Sequence, residues 1–161
     1  MRITIALSIL LILKGVNTAA LEVGCKFEEV YGDGTVQQGL LLIKNQNMRY
    51  QYNDPNLYTI IVRSNSAYLI LNNDKESFRK LDDKSIILEE IIDIFSTYPN
   101  LQEKYQREDF LIKIEKNSNN FIKRIAISSS DLNLSLNLLD CKFEKIFDTF
   151  FKYFPLEDFK Y

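Results

Sequence analysis

Gly39-Leu40-Leu41-Leu42-Ile43-Lys44-Asn45-Gln46-Asn47-Met48-Arg49-Tyr50-Gln51-Tyr52-Asn53-Asp54-Pro55 reads as a strand, a polar turn and a second strand. Strand side chains alternate between two faces, so Met48, Tyr50 and Tyr52 share one face and Arg49 and Gln51 the other. A face of two tyrosines and a methionine must meet either a packed interior or an apolar ligand. The strand pattern continues in both directions. Upstream, Lys26–Tyr31 predicts a strand, Gly32-Asp33-Gly34 a hairpin turn suited to positive φ, and Thr35–Lys44 the next strand. Downstream, Asn53-Asp54-Pro55-Asn56 turns the chain into Leu57–Arg63, dense in β-branched residues. Ser64-Asn65-Ser66 turns it again, and Ala67–Leu71 and Glu76–Leu81 complete a meander of six short strands.

The period then changes. In Ser85–Tyr98, Leu88, Ile91, Ile92 and Phe95 follow helical spacing. Ser85 is placed to cap, Glu89 and Glu90 suit the first turn, and Pro99 ends the segment. The acidic pairs Asp82-Asp83 and Glu89-Glu90 read as capping or solvated positions. Asn100–Glu108 reads as a polar connection. Strands resume at Asp109–Glu115 and Phe121–Ser128, and Leu132–Leu138 alternates leucine with polar residues, the pattern of a sheet with one wet face. The tail Phe143–Phe154 fits a helix, while Phe150–Phe154 also fits a closing edge strand, so a mixture is expected. The fold class is mainly β (α+β). Nine or ten antiparallel strands are expected to form one strongly curved sheet, an incomplete, unclosed barrel. Its outside would be wet, its inside apolar, and one or two helices would lie against its mouth.

The chain of 161 residues suits one domain, and 46% hydrophobic with 26% charged residues is ordinary for a globular protein. Its first 20 residues stand apart. Arg2, the apolar run Ile3–Leu13 and the small residues Thr18-Ala19-Ala20 have the organisation of a cleaved secretory signal, and the run is too short to span a membrane. The expected organisation is a signal peptide over 1–20 and one domain over 21–161. Removing the signal takes Arg2 and Lys14 from the 20 basic residues and nothing from the 22 acidic ones, leaving a net charge of −4. Such a surface does not attract nucleic acid. In an exported chain Cys25 and Cys141 can form a disulfide, and two separate buried thiols are an equal alternative. Val23-Gly24-Cys25 also imitates the end of a lipidation motif, which leaves acylation of Cys25 as a third reading.

The chemistry of most enzymes has no foothold here. The chain has no histidine, which removes histidine triads, bases and metal ligands. Two distant cysteines do not make a zinc site. No glycine-rich phosphate loop, nucleophile elbow or convergent carboxylate pair is present. The expectation is a non-enzymatic protein with no metal and no cofactor, whose informative residues are apolar and aromatic and therefore suited to binding.

The segment Gly39–Pro55 resembles the signature region of the periplasmic outer-membrane lipoprotein carriers, the LolA-like family. That family shows a glycine, an apolar strand ending in Lys-Arg-Pro, then Arg-Trp-x-Tyr-x-x-Pro. Arg49, Tyr50, Tyr52 and Pro55 match its second half, with tyrosine in place of tryptophan. Tyr58–Val62 and Ala67–Leu71 match the strands that follow, and Phe150–Pro155 looks like the closing strand. Lys44-Asn45-Gln46 departs from Lys-Arg-Pro, and that arginine is implicated in holding the family's lid closed. The opening amphipathic helix of the family is absent or very short, so a lid would rest on Ser85–Tyr98.

The resemblance implies a monomeric periplasmic carrier that shields lipoprotein acyl chains in an apolar half-barrel. Its implied partners are acylated lipoproteins, an inner-membrane lipoprotein-releasing ABC transporter and an outer-membrane acceptor. The implied acyl-chain wall is Met48, Tyr50, Tyr52, Tyr58, Ile60 and Val62, with Ile91 and Phe95 closing over it. For any one of these residues, plain core packing remains the competing reading. Arg49 is expected at the surface or a strand edge. Two other functions stay open on the same fold: a sensor or interaction module, and a lipid-anchored acceptor that requires an acylated Cys25.

Overall fold

A computed structural model describes residues 21–63, 66–81 and 86–152. The expected signal 1–20, the turn residues Ser64 and Asn65, Asp82-Asp83, the capping Ser85, and Phe154 and Pro155 lie outside them. The strands are β1 (Glu22–Tyr31), β2 (Val36–Lys44), β3 (Asn47–Tyr52), β4 (Tyr58–Arg63), β5 (Ser66–Leu71) and β6 (Asp74–Leu81). After helix α1 (Ile86–Thr97) come β7 (Lys104–Arg107), β8 (Phe110–Lys116), β9 (Ile122–Ser128) and β10 (Asn133–Lys142). All ten strands form one sheet in the order β6-β5-β4-β3-β2-β1-β10-β9-β8-β7. Its pairings are antiparallel and its two edges, β6 and β7, remain apart, so the sheet is open.

The connectivity follows from short turns. Asn45 takes φ 55° at the β2–β3 turn, where Lys44 pairs with Asn47. Positive φ there suits asparagine and would exclude proline. Most neighbouring strands are hairpin partners, whereas the central β1–β10 pair joins chain ends. Between β6 and β7 the chain travels from one free edge to the other, and α1 lies on that path.

The two faces then separate by parity. On the inner face, Val23, Cys25 and Phe27 of β1 join Leu41 and Ile43, Met48 and Tyr50, Ile125 and Ile127, and Leu136 and Leu138 in one cluster. Leu88, Ile91, Ile94 and Phe95 of α1 belong to the same cluster, so the helix buries its apolar stripe on this face.

The outer face is not uniformly wet. Leu42, Ile61 and Ile70 form a second cluster with Ile146 and Phe151 from the chain's C-terminal side. Arg49, expected at the surface or a strand edge, is fully buried on this face. Its Nε donates to Gln51 Oε1 at 2.9 Å and its Nη1 to the carbonyl of Phe150 at 3.0 Å. The covering segment is held by Lys44 Nζ, 2.8 Å from both the Ile146 carbonyl and Asp148, and by the Ile146 amide, which donates to Glu22 at 2.7 Å. Desolvation pushes the Arg49 guanidinium down to about 10, which leaves it charged at neutral pH.

The second half carries three further differences from the expected pattern. The stretch read as a polar connection contains β7, whose Tyr105 pairs with Ile112. The tail is neither a regular helix nor a strand over its described part: Asp148–Phe151 is a single 3-10 turn. β10 continues past Leu138 through an irregularity where Asp140 takes φ 49°. That extension brings Cys141 to Cys25, and the two form a disulfide with Cα atoms 4.1 Å apart. With its sulfur in this bond, Cys25 has no thiol left for acylation.

Candidate functional site

The aromatic face of β3 lies against β1. Phe27 stacks on Tyr50 with ring centroids 4.1 Å apart, and Tyr52 stands edge-on to Phe27 and to Tyr50. Tyr58 adds a further edge contact to Tyr52 at 5.2 Å. β2 runs between them: Gly39 is opposite Phe27 on one side and Tyr52 on the other. Having no Cβ, Gly39 lets the Phe27 ring lie across its backbone.

These rings converge on one carboxylate. Glu29 is only 4% exposed. Its Oε1 accepts the Tyr50 hydroxyl at 2.5 Å, and its Oε2 accepts those of Tyr52 and Tyr31, both at 2.8 Å. Among the described residues no lysine or arginine pairs with it. Burial, reinforced by the Glu29 charge, pushes the phenols of Tyr50 and Tyr52 well above their ordinary value. Burial and the hydrogen bond to Glu29 push Tyr31 up to about 12. A phenol with a raised folded-state value stabilises the fold fully below its unfolded value, near 10, and loses that contribution as pH rises through the folded value. Folding should therefore begin to weaken above pH ~10. Phenolate absorbance and circular dichroism, followed together, should show these tyrosines ionising only as the sheet unfolds. Full ionisation of all nine tyrosines in a folded chain would contradict it.

The helix side has its own polar anchor. Glu90, expected at a capping or solvated position, is buried at 2% exposure. It ion-pairs with Arg107 of β7 and accepts the Tyr105 hydroxyl at 3.1 Å, while Arg107 also meets Asp93 at 2.9 Å. A cavity of about 250 Å³ lies here, lined by Glu90, Ile94, Leu101, Tyr105 and Arg107 among others. A second, of about 350 Å³, lies at the disulfide beside Gly24, Leu40 and Asp140. Neither touches the wall expected from sequence.

That wall is nevertheless one connected surface. Met48 pairs with Val62 and Tyr50 with Ile60 across β3 and β4. Together with Tyr52, Ile91 and Phe95 they are buried in a single cluster, and Tyr58 packs at its margin. All eight belong to that one cluster or its margin, two of them, Ile91 and Phe95, contributed by α1. No family model matches the chain, and no curated protein matches it in sequence.

Glu29 escaped the sequence reading, although its position was available. Phe27, Glu29 and Tyr31 share a parity on β1, and an apolar neighbour on that parity carries Glu29 inward with it. Glu90 is the helical counterpart, one position before the inward Ile91.

Proposed function

We propose that this protein is a LolA-like periplasmic carrier that holds the acyl chains of lipoproteins against the inner face of its sheet. The observation that carries the reading is an open ten-stranded sheet with one helix on the path between its two free edges, whose apolar residues join the inner-face cluster. A closed barrel could not admit a chain sideways. An open sheet can, once α1 lifts from Met48, Tyr50, Ile60 and Val62. The helix is tied to β7 by Arg107 and Tyr105: the Asp93–Arg107 pair is exposed and holds weakly, whereas lifting the helix must bring the buried Glu90 and its partners Arg107 and Tyr105 into water.

The energetics favour a carrier without catalytic groups. Each buried methylene is worth about 0.8 kcal/mol, so an acyl chain needs an apolar host to cross water. Burying the chain against tyrosine and aliphatic groups supplies that host, and graded affinity between donor, carrier and acceptor supplies direction. The sequence-level signal at residues 1–20 and the Cys25–Cys141 disulfide support export to an oxidising compartment.

The test is direct. A diacylated lipopeptide should bind the purified protein, and its unacylated counterpart should not. Methyl resonances of Met48, Ile60, Val62 and Ile91 should shift together on binding. A folded protein that binds no acylated peptide, or binds one with these methyls unmoved, overturns the reading.

A further inference from the structure

We propose that Glu29 and the tyrosines around it form a receptor for a primary ammonium carried beside acyl chains. The inference rests on the carrier reading and narrows its cargo.

Two carboxylates are buried among the described residues, Glu29 and Glu90. Glu90 has a cation, Arg107. Glu29 has none. Its three neighbours are all hydroxyls that donate to it, which is how an ionised carboxylate is satisfied by neutral groups. Neutral donors soften the cost of burying a charge but do not cancel the charge. A carboxylate offers about four acceptor directions. Two are taken on Oε2 and one on Oε1, so Oε1 retains one unused acceptor direction.

The surroundings fit a cation as well. Phe27, Tyr50, Tyr52 and Tyr58 crowd the same place with edge and face contacts. Aromatic rings attract ammonium groups, so rings beside a carboxylate suit a cation. Tyr31 and Tyr58 are only half-buried, so the cluster reaches solvent at their end. The opposite side of the cluster is continuous with Met48, Ile60 and Val62. A ligand placing its acyl chains on that wall would bring an attached head group to Glu29.

Two ligands share this chemistry. One is a diacylated lipopeptide with a free N-terminal amine, and the other is a phospholipid with an ethanolamine head. N-acylation turns the ammonium of either into a neutral amide and leaves its chains in place. The experiment therefore compares each ligand with its N-acetylated form: a synthetic diacyl lipopeptide, and a short-chain phosphatidylethanolamine. Wild-type protein should prefer the free lipopeptide over its N-acetyl form by about tenfold, the size of a charged hydrogen bond. Glu29→Gln should bring that ratio to about one. Because the ratio is taken on one sample, a partly folded variant lowers both affinities and leaves the ratio readable. If the preference appears only with phosphatidylethanolamine, the ammonium receptor stands and its source is phospholipid. Equal binding of free and acetylated forms of both ligands overturns this inference while leaving the carrier intact. A preference that survives Glu29→Gln also overturns it. Failure of every acylated ligand to bind overturns both.

Discussion

Reduction of the Cys25–Cys141 disulfide is expected to lower the unfolding free energy by about 4 kcal/mol, a large share of the 5–15 kcal/mol typical of a domain. The two cysteines are 116 residues apart, so the bond restricts nearly the whole described chain when it is unfolded. For a loop of about 100 residues the chain-entropy account gives ~4.7 kcal/mol. The position of the bond adds to its weight. Most strand pairs in this sheet join sequence neighbours, and their loops close cheaply. The β1–β10 pair is the exception, and it carries both halves of the sheet on it. The disulfide sits near one end of that seam, at the irregularity between the Lys26–Leu139 and Gly24–Lys142 pairs. Chemical denaturation with and without reductant compares identical side chains and isolates the bond. A shift of less than ~1 kcal/mol would mean that packing of Phe27 and Glu29 against Leu138 and Leu136 holds the seam alone, or that the reduced unfolded chain remains ordered.

What the sequence disclosed, and what it hid, follows the range of the interactions involved. The β1–β6 meander was readable because turn chemistry and period-two alternation are local. The face of Met48, Tyr50 and Tyr52 follows from parity alone. The helix was readable from Leu88, Ile91 and Phe95, and the disulfide only as an option, since spacing says nothing about which strands become neighbours. β7 was hidden because Lys-Tyr-Gln-Arg is short and polar, and it is a strand only because β8 lies beside it. Arg49 was misplaced for a similar reason. Nothing near Arg49 in sequence buries it; the cover is Phe150 and its neighbours, about a hundred residues later. The same gap separates the two polar clusters of the inner face from their sequence signals. Glu29 is satisfied by Tyr50 and Tyr52, some twenty residues away, and Glu90 by groups on β7. Each needed a strand order, and strand order is what single-sequence periodicity lacks.

Gly39→Val is expected to abolish folding, and Gly39→Ala to cost more than ~3 kcal/mol. The cause is contact and not backbone strain. A Cβ at Gly39 would run into the carbonyl of Gln51 and the ring of Phe27. The carbonyl belongs to the strand paired with Gly39 and cannot retreat without breaking the β2–β3 ladder. Phe27 cannot retreat either: it is stacked on Tyr50 and edged by Tyr52, and both tyrosines are tied to Glu29. A displaced ring would strip hydroxyls from a buried carboxylate, so the clash propagates into the most costly group on this face. Gly34 provides the contrast. It takes φ 87° with open space around its missing Cβ, so Gly34→Ala should cost only about 1 kcal/mol, as local strain. Denaturant midpoints of the two alanine variants separate the mechanisms. Equal losses would remove close packing as the reason for Gly39. If close packing is the reason, Phe27→Leu should be less damaging in the Gly39→Ala background than in wild type, because the smaller side chain relieves the collision it would otherwise suffer. That coupling would place the glycine at the head of Gly39–Pro55 in the same unit as the tyrosines downstream of it: the glycine admits Phe27, Phe27 supports Tyr50, and Tyr50 supports Glu29.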